Sequence, residues 1–329
     1  MDFTLSSDQE LLRDTARQLL RRECPPAVLR AHIDDPGAAD PLWLHLRDFA
    51  ALGDSPLTDL CLFAEEMGYV AAPGPFFPTA ALFSPLLGAL GHELLAPAVA
   101  GEVTGTVAVA GADGVWQAND DRVKTFVPEA DRVDWVAVVS SGPAVTLVQS
   151  PPVRPVATVD FSRRTFEVEV DSDAGPTQPV DPEAFETVLE RATVALAAEM
   201  VGTARRLFDM TLAYAKERVQ FDVPIGSFQA IQHKLADVAL DLERATSAVY
   251  YAAMAIDAKD PDRHRASHVA KAAAGTAATR AAKDGIQIHG GIGYTWEHDL
   301  HLFIRHAYGS EAWLGTRDWH HDRLAELLF

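Results

Sequence analysis

The chain of 329 residues carries 48% apolar and 23% charged side chains, a balance that excludes a disordered polypeptide and provides for two or three compact units. A formal net charge of −19 excludes a nucleic-acid partner, since no basic field is there to neutralise phosphates, and obliges any polyanionic ligand to find local positive groups. Two cysteines, Cys24 and Cys61, exclude a disulfide framework or a multi-cysteine metal site and favour a reducing cytoplasm.

Residues 1–100 read as helical. Met1 to Leu12 lacks a basic segment followed by an apolar one, so no signal peptide is expected. Ser7 and Glu10 have capping-box spacing, and Leu12, Ala16, Leu19 and Leu20 then share a face until Cys24-Pro25-Pro26 ends the helix. Pro41 to Leu52 and Leu57 to Tyr69 predict two more helices, the second with a small-residue face at Ala64, Met67 and Gly68. Ala80 to Ala100 is too interrupted, by Pro85, Gly88, Gly91 and Pro97, to span a membrane.

Residues 101–181 read as a reduced β unit. Val103 to Ala110 is β-rich, Trp135 to Val139 and Val145 to Val148 pair as a hairpin, and Thr165 to Val170 alternates with period two. Gly175 to Pro182 reads as a linker. Residues 182–329 return to helix. Phe185, Leu189, Ala192, Leu196, Thr203, Leu207, Met210 and Tyr214 form one apolar stripe. Gln229 to Ala258 and His264 to His289 predict two further long helices, and Leu300 to Leu328 a last one interrupted near Gly309 and Gly315. The order predicts an α+β fold: an N-terminal helical domain, a small central β-barrel or sheet, and a C-terminal four-helix bundle.

Two segments carry a resemblance. The first is Arg218-Val-Gln-Phe-Asp-Val-Pro-Ile-Gly-Ser-Phe-Gln-Ala-Ile-Gln-His-Lys-Leu-Ala-Asp237, and the second is Gln287-Ile-His-Gly-Gly-Ile-Gly-Tyr294 with Glu297 after it. They resemble the C-terminal signatures of the acyl-CoA dehydrogenase family, including its Arg-x-x-Phe-Gly, Pro-Ile, Gln-Ala and Leu-Ala-Asp pattern. The resemblance implies FAD lying between subunits, with Arg218 on its pyrophosphate or adenine side, Gln229 as the matching glutamine, and Gln287 and Gly291 where a neighbour's FAD approaches. Forked guanidinium donors suit phosphate, and paired glycines admit a close ligand. A surface ion pair for Arg218 and a helix C-cap for the Gly-Gly are the structural alternatives.

The family reaction needs a carboxylate base beside the α-carbon of an acyl-CoA. By the resemblance, one base position precedes Gly315-Thr316 and holds Leu314. The other lies twenty-six residues before Arg218 and holds Ala192. Neither side chain accepts a proton. Thr316 is a flavin contact by this resemblance and a helix cap by its local sequence. Glu199, seven residues beyond Ala192, returns to nearly the same helix face about 10 Å further on and interrupts the apolar stripe, so it is a weak catalytic candidate, with a buried ion pair as the alternative. Glu311 and Asp318 flank the C-terminal position but are out of register. The Thr-Glu-Pro-x-Ala-Gly-Ser-Asp segment of the family is missing, and Lys124 to Pro128 stands in for its Trp-Ile-Thr-Asn strand.

These departures resemble the shorter subunit of actinobacterial α2β2 acyl-CoA dehydrogenases that act on steroid side chains. The implied function is one half of an FAD-dependent desaturase of CoA thioesters, in a heterotetramer whose longer homologous subunit supplies the base. An electron-transfer flavoprotein is a candidate acceptor. The alternatives are a structural or regulatory partner without a flavin role and a self-sufficient flavoenzyme of the same fold. His301, His306, His320 and His321 lack metal-ligand spacing, so no metal is expected. Arg163-Arg164 and Arg205-Arg206 are read either as CoA-phosphate contacts or as ordinary salt-bridge partners.

Overall fold

The computed structural model describes residues 4–170 and 175–328, so Met1 to Phe3 of the leader reading lie outside the described residues. Helices come first: α1 (Ser7–Glu23), α2 (Pro26–Asp34), α3 (Asp40–Leu46), α4 (Leu57–Val70), α5 (Ser84–Leu90) and α6 (Leu95–Val99). The capping box of α1 sits one residue earlier than its spacing predicts. Gln9 N–H donates to Ser6 Oγ at 3.2 Å, and Ser6 N–H donates to Gln9 Oε1 at 3.1 Å. The helix predicted over Pro41 to Leu52 tightens after Leu46 into a 3-10 stretch, Arg47–Asp54. Gly53 there packs so closely that a Cβ would lie 2.8 Å from Ser84 Cβ.

Seven strands follow: β1 (Gly105–Ala108), β2 (Val123–Pro128), β3 (Trp135–Ser140), β4 (Ala144–Gln149), β5 (Val153–Val156), β6 (Thr165–Glu169) and β7 (Thr177–Pro179). One sheet has the order β1-β3-β4-β7, with β1 and β3 parallel and the other pairs antiparallel. The second is antiparallel β2-β6-β5. Both are open, so of barrel and sheet it is the sheet that forms. Val127, Val136, Val138, Phe166 and Val168 make a shared core. The predicted linker contains β7, which pairs with β4. Its Pro179 is tolerated because β7 is an edge strand and its N–H is not needed by a further neighbour.

The rest is α7 (Pro182–Glu217), a short hairpin of β8 (Val219–Gln220) and β9 (Val223–Pro224), then α8 (Gln229–Asp257), α9 (Arg263–His289), α10 (Leu300–Ala312) and α11 (Arg317–Leu328). Gly309 lies inside α10, and the interruption falls at residues 313–316. Residues 192–204 of α7 are buried on every side, so the predicted stripe is there a fully enclosed helix. No helix among the described residues is long and apolar enough to cross a membrane.

Two compact units separate. One gathers the described parts of Met1–Arg21, Cys61–Ala72 and Leu196–Phe329. The other gathers Arg22–Leu60 and Pro73–Ala195. In the first, α4 crosses α7 through two glycines. A Cβ on Gly68 would lie 1.8 Å from the Glu199 carbonyl oxygen, and one on Gly202 the same distance from that of Glu65. Charges are matched around this crossing. Glu65 accepts from Arg205 and from Tyr250 Oη, Glu66 accepts from Arg17, and Tyr69 Oη donates to Asp209.

Candidate functional site

A small apolar cluster closes one end of the helical unit. Ala215 of α7, Leu235 of α8 and Ile288 of α9 are buried together, with Tyr214, Ile225 and Ile231 packed against them. This cluster fixes the end of α7, the start of α8 and the end of α9 side by side. Arg218, Gln229, Gln287 and Gly291 all emerge there, and all four are exposed. Among the described residues no carboxylate pairs with Arg218, and neither glutamine side chain has a hydrogen-bond partner. A Cβ on Gly291 would meet nothing within 4 Å. The cluster therefore presents an uncommitted forked cation, two amides and an open glycine, a donor set that fits a phosphate-bearing group such as the diphosphate of FAD.

The hairpin between Arg218 and Gln229 is strained. Phe221 and Asp222, its two central residues, have φ of 55° and 63°, the pattern of a type I′ turn. Asp222 stands where the Arg-x-x-Phe-Gly pattern has glycine, and aspartate is among the residues that tolerate this conformation. Phe221 is 87% exposed, touched edge-on by Phe228.

At the end of α9, Gly290 is the C-cap that its local sequence suggests, donating its N–H to Ile286 O at φ 63°, which leaves Gly291 beyond it open. His289 braces this end. Its ring stacks on Tyr214 at 4.3 Å, and its Nδ1 is 2.8 Å from Gly285 O. A carbonyl only accepts, so Nδ1 carries the proton. Burial holds the imidazole below its ordinary pKa, which keeps it neutral.

Leu314 and Thr316 occupy a second place, between α10 and α11. Lys271, which holds that turn, precedes Gln287 by sixteen residues of α9, or about 24 Å along the helix. Leu314 is buried with φ 56°. Thr316 caps α11, accepting from Trp319 N–H at 3.2 Å, and its side chain remains exposed. Glu311 is committed to the same turn, accepting from Arg317 N–H at 2.8 Å, and Asp318 is exposed beside Arg317.

Glu199 is enclosed in the helical unit, its Oε1 3.1 Å from His306 Nε2. Ala192 is fully buried in the other unit. His321 is exposed, whereas His301, His320 and the arginine pairs have internal contacts, Arg163 lying over Phe77. His301 lies edge-on to Trp296, and His320 bonds within the 313–316 turn. Arg164 pairs with Asp131, Arg205 pairs with Glu65, and Arg206 lies over Tyr69 and Phe303. Lys124, in β2, is buried and donates to Asn119. Sequence reading missed Lys271 and His268. The available signal was a lysine set in the small-residue face of α9 (Ser267, Ala274, Gly275, Ala278), where an ammonium has to find partners.

Comparison with known proteins gives a consistent result. A model of the acyl-CoA dehydrogenase C-terminal domain matches residues 183–329. The chain is 33% identical over 323 residues to acyl-CoA dehydrogenase IpdE2 of Mycobacterium tuberculosis, covering 94% of this chain and 93% of that one. It superposes on a chain of a variant of the Tcur3481–Tcur3483 steroid ACAD with a TM-score of 0.89 at 26% identity, over 99% of this chain and 98% of that one. A chain of the ChsE4–ChsE5 complex from Mycobacterium tuberculosis matches with a TM-score of 0.85 at 26% identity, over 100% and 99%.

Proposed function

Because the chain belongs to the acyl-CoA dehydrogenase family, a family of oxidoreductases, we propose that it is the subunit of an FAD-dependent acyl-CoA dehydrogenase that does not carry the base. The observation that carries this reading is the pair of apolar residues, Leu314 and Ala192, at the two places where the family puts its glutamate. Both are buried, and neither can take a proton from a thioester α-carbon. On this reading a carboxylate of a longer homologous subunit would take the α-proton, and FAD, when bound, would accept the β-hydride, so that the thioester leaves as an enoyl-CoA. The natural assembly on this reading is α2β2, supported by the two-component composition of the ChsE4–ChsE5 complex.

This chain's part is to bind and orient. Arg218, Gln229, Gln287 and Gly291 would hold the diphosphate and adenine side of FAD, and Thr316 would reach a flavin from its exposed hydroxyl. Residues 182–329 then carry the cofactor and oligomer contacts, while residues 1–100 and 101–181 complete the subunit. A steroid-side-chain CoA thioester is the proposed substrate, supported by the likeness to a steroid ACAD. An electron-transfer flavoprotein is the proposed reoxidant. A reducing cytoplasm is the proposed location, which suits Cys24 and Cys61, both buried and neither in a disulfide.

Co-expression with a longer homologue tests the reading. A yellow complex that bleaches on adding an acyl-CoA is expected. A complex without flavin defeats it. Unchanged flavin content in Arg218→Ala points instead to a structural partner, and turnover by this chain alone with added FAD points to a self-sufficient enzyme.

A further inference from the structure

The turn at residues 313–316 is held more tightly than a connector between two helices requires. Lys271 is fully buried, and its Nζ donates to Glu311 O at 2.9 Å and to Gly315 O at 2.8 Å. An ammonium is costly to enclose unless its donors are used, and here it also faces the carbonyl end of α10, where a cation is favoured. His320 Nε2 is 3.0 Å from Leu314 O. That oxygen only accepts, so Nε2 bears the proton and Nδ1 is left as a lone pair. His268 Nδ1 lies 2.7 Å from it and is therefore the donor. Burial and the neighbouring Lys271 charge push His320 down to about 3, and burial pushes His268 down to about 4, so both rings stay neutral as this arrangement demands. Three backbone carbonyls within five residues are thus each pinned by a buried side chain.

The backbone they pin is unfavourable. Leu314 has φ 56° and Gly315 φ 95°. Gly315 cannot change, because a Cβ would fall 2.7 Å from the Trp319 ring. Leu314 is different. Glycine or asparagine would make the same turn with less strain, yet a bulky side chain is kept there in the left-handed region. Such strain persists only where the surroundings over-determine it.

We propose, resting on the function above, that Lys271 and His320, with His268 behind them, are positioning residues that hold this turn preset, so that the identity of side chain 314 alone sets whether the chain contributes a proton acceptor. The turn is a base platform carrying leucine.

The test uses the co-expressed complex. Amides of residues 313–320 are followed by hydrogen exchange in wild type, Lys271→Met and His320→Phe. At least tenfold faster exchange confined to this stretch is expected in both variants. Exchange unchanged in the variant that folds overturns the clamp, and two variants guard against the loss of one. Leu314→Gly is expected to melt higher than Leu314→Ala, and equal melting overturns the strain argument. Finally, Leu314→Glu is compared with Leu314→Gln, the partner's own base being replaced by its amide. Enoyl product at least tenfold above the glutamine control, rising with pH as the new carboxyl ionises and lost on adding Lys271→Met, is expected. No difference between Glu and Gln in a complex that retains flavin overturns the proposal. A complex lacking flavin even in wild type defeats the functional reading instead, and the exchange and melting arms still decide the clamp.

Discussion

Glu199 of α7 and His306 of α10 meet at 3.1 Å with each side chain only 1% exposed, which makes this the most enclosed acid–histidine pair among the ion pairs described here. Removing one member of such a pair withdraws a close polar contact from an enclosed group and leaves a cavity, at a cost of about 3 kcal/mol. His306→Ala should lower the unfolding free energy by that amount in urea titration. Glu199→Gln in the co-expressed complex should leave the rate of flavin bleaching within about twofold, because the base is proposed to come from the partner subunit. A loss of a thousandfold or so would make Glu199 the base.

The α4–α7 crossing should not tolerate even one methyl. Gly202→Ala or Gly68→Ala would place a Cβ 1.8 Å from a carbonyl oxygen, and backbone cannot step aside as a flexible side chain can. Each variant is expected to lose about 3 kcal/mol, read by urea unfolding, with Gly88→Ala, where a Cβ meets a single side-chain atom at 3.9 Å, as the neutral control.

Glu129 sets a pH dependence in the β-containing unit. It is enclosed, accepts from Arg164 N–H at 3.0 Å, and has its other oxygen unpartnered. Burial, reinforced by Asp131 and opposed by Arg164 and Arg132, pushes its carboxyl up to about 7 from an ordinary 4.5. A raised folded-state pKa means that the unfolded chain ionises first. The contribution is therefore fully present below pH about 4.5 and is lost as pH rises to about 7, a swing on the order of 3 kcal/mol. Unfolding free energies across that window should be flatter in Glu129→Gln than in wild type. An unchanged slope would show that Glu129 is not the group responsible.

The His268–His320 pair acts in the opposite sense. Both rings are held below the ordinary histidine value, so their contribution is present above pH about 6.5 and falls away as acid protonates them toward pH about 4 and about 3. Protection factors of residues 313–320, which correct for the intrinsic slowing of amide exchange in acid, should fall on acidification, and His268→Gln should weaken that fall.

Arg218 should separate binding from stability. It is exposed and makes no ion pair among the described residues, so Arg218→Ala should change unfolding free energy by less than about 0.5 kcal/mol. Flavin per complex should nonetheless fall by about tenfold, and Arg218→Lys should recover only part of it, since lysine lacks the planar fork. Absorbance of the purified complex gives the flavin content directly.

Much of the chain could be read without coordinates, because local patterns govern local structure. Proline before a periodic run placed the start of α7 at Pro182, and two apolar runs around Ser-Ser-Gly-Pro placed the β3–β4 hairpin. Local pattern failed where the deciding contact is distant. Thr177 to Pro179 looks like linker because a three-residue edge strand has no period, and only its pairing with β4 makes it a strand. The period of α7 suggested a stripe because periodicity registers the apolar majority. Only packing shows that residues 192–204 are enclosed on all sides.

The site divides in the same way. The sequence by itself determined that leucine stands at 314 and alanine at 192, and which residues make up the two family-like motifs, since identity and spacing need no third dimension. Only the tertiary structure decided that Arg218, Gln229 and Gln287 are uncommitted at one end of the helical unit, that Glu199 has His306 beside it, and that Lys271 reaches carbonyls forty residues on. The physical reason is that enclosing a charge requires partners, and those partners are set by the packing of helices rather than by neighbours along the chain.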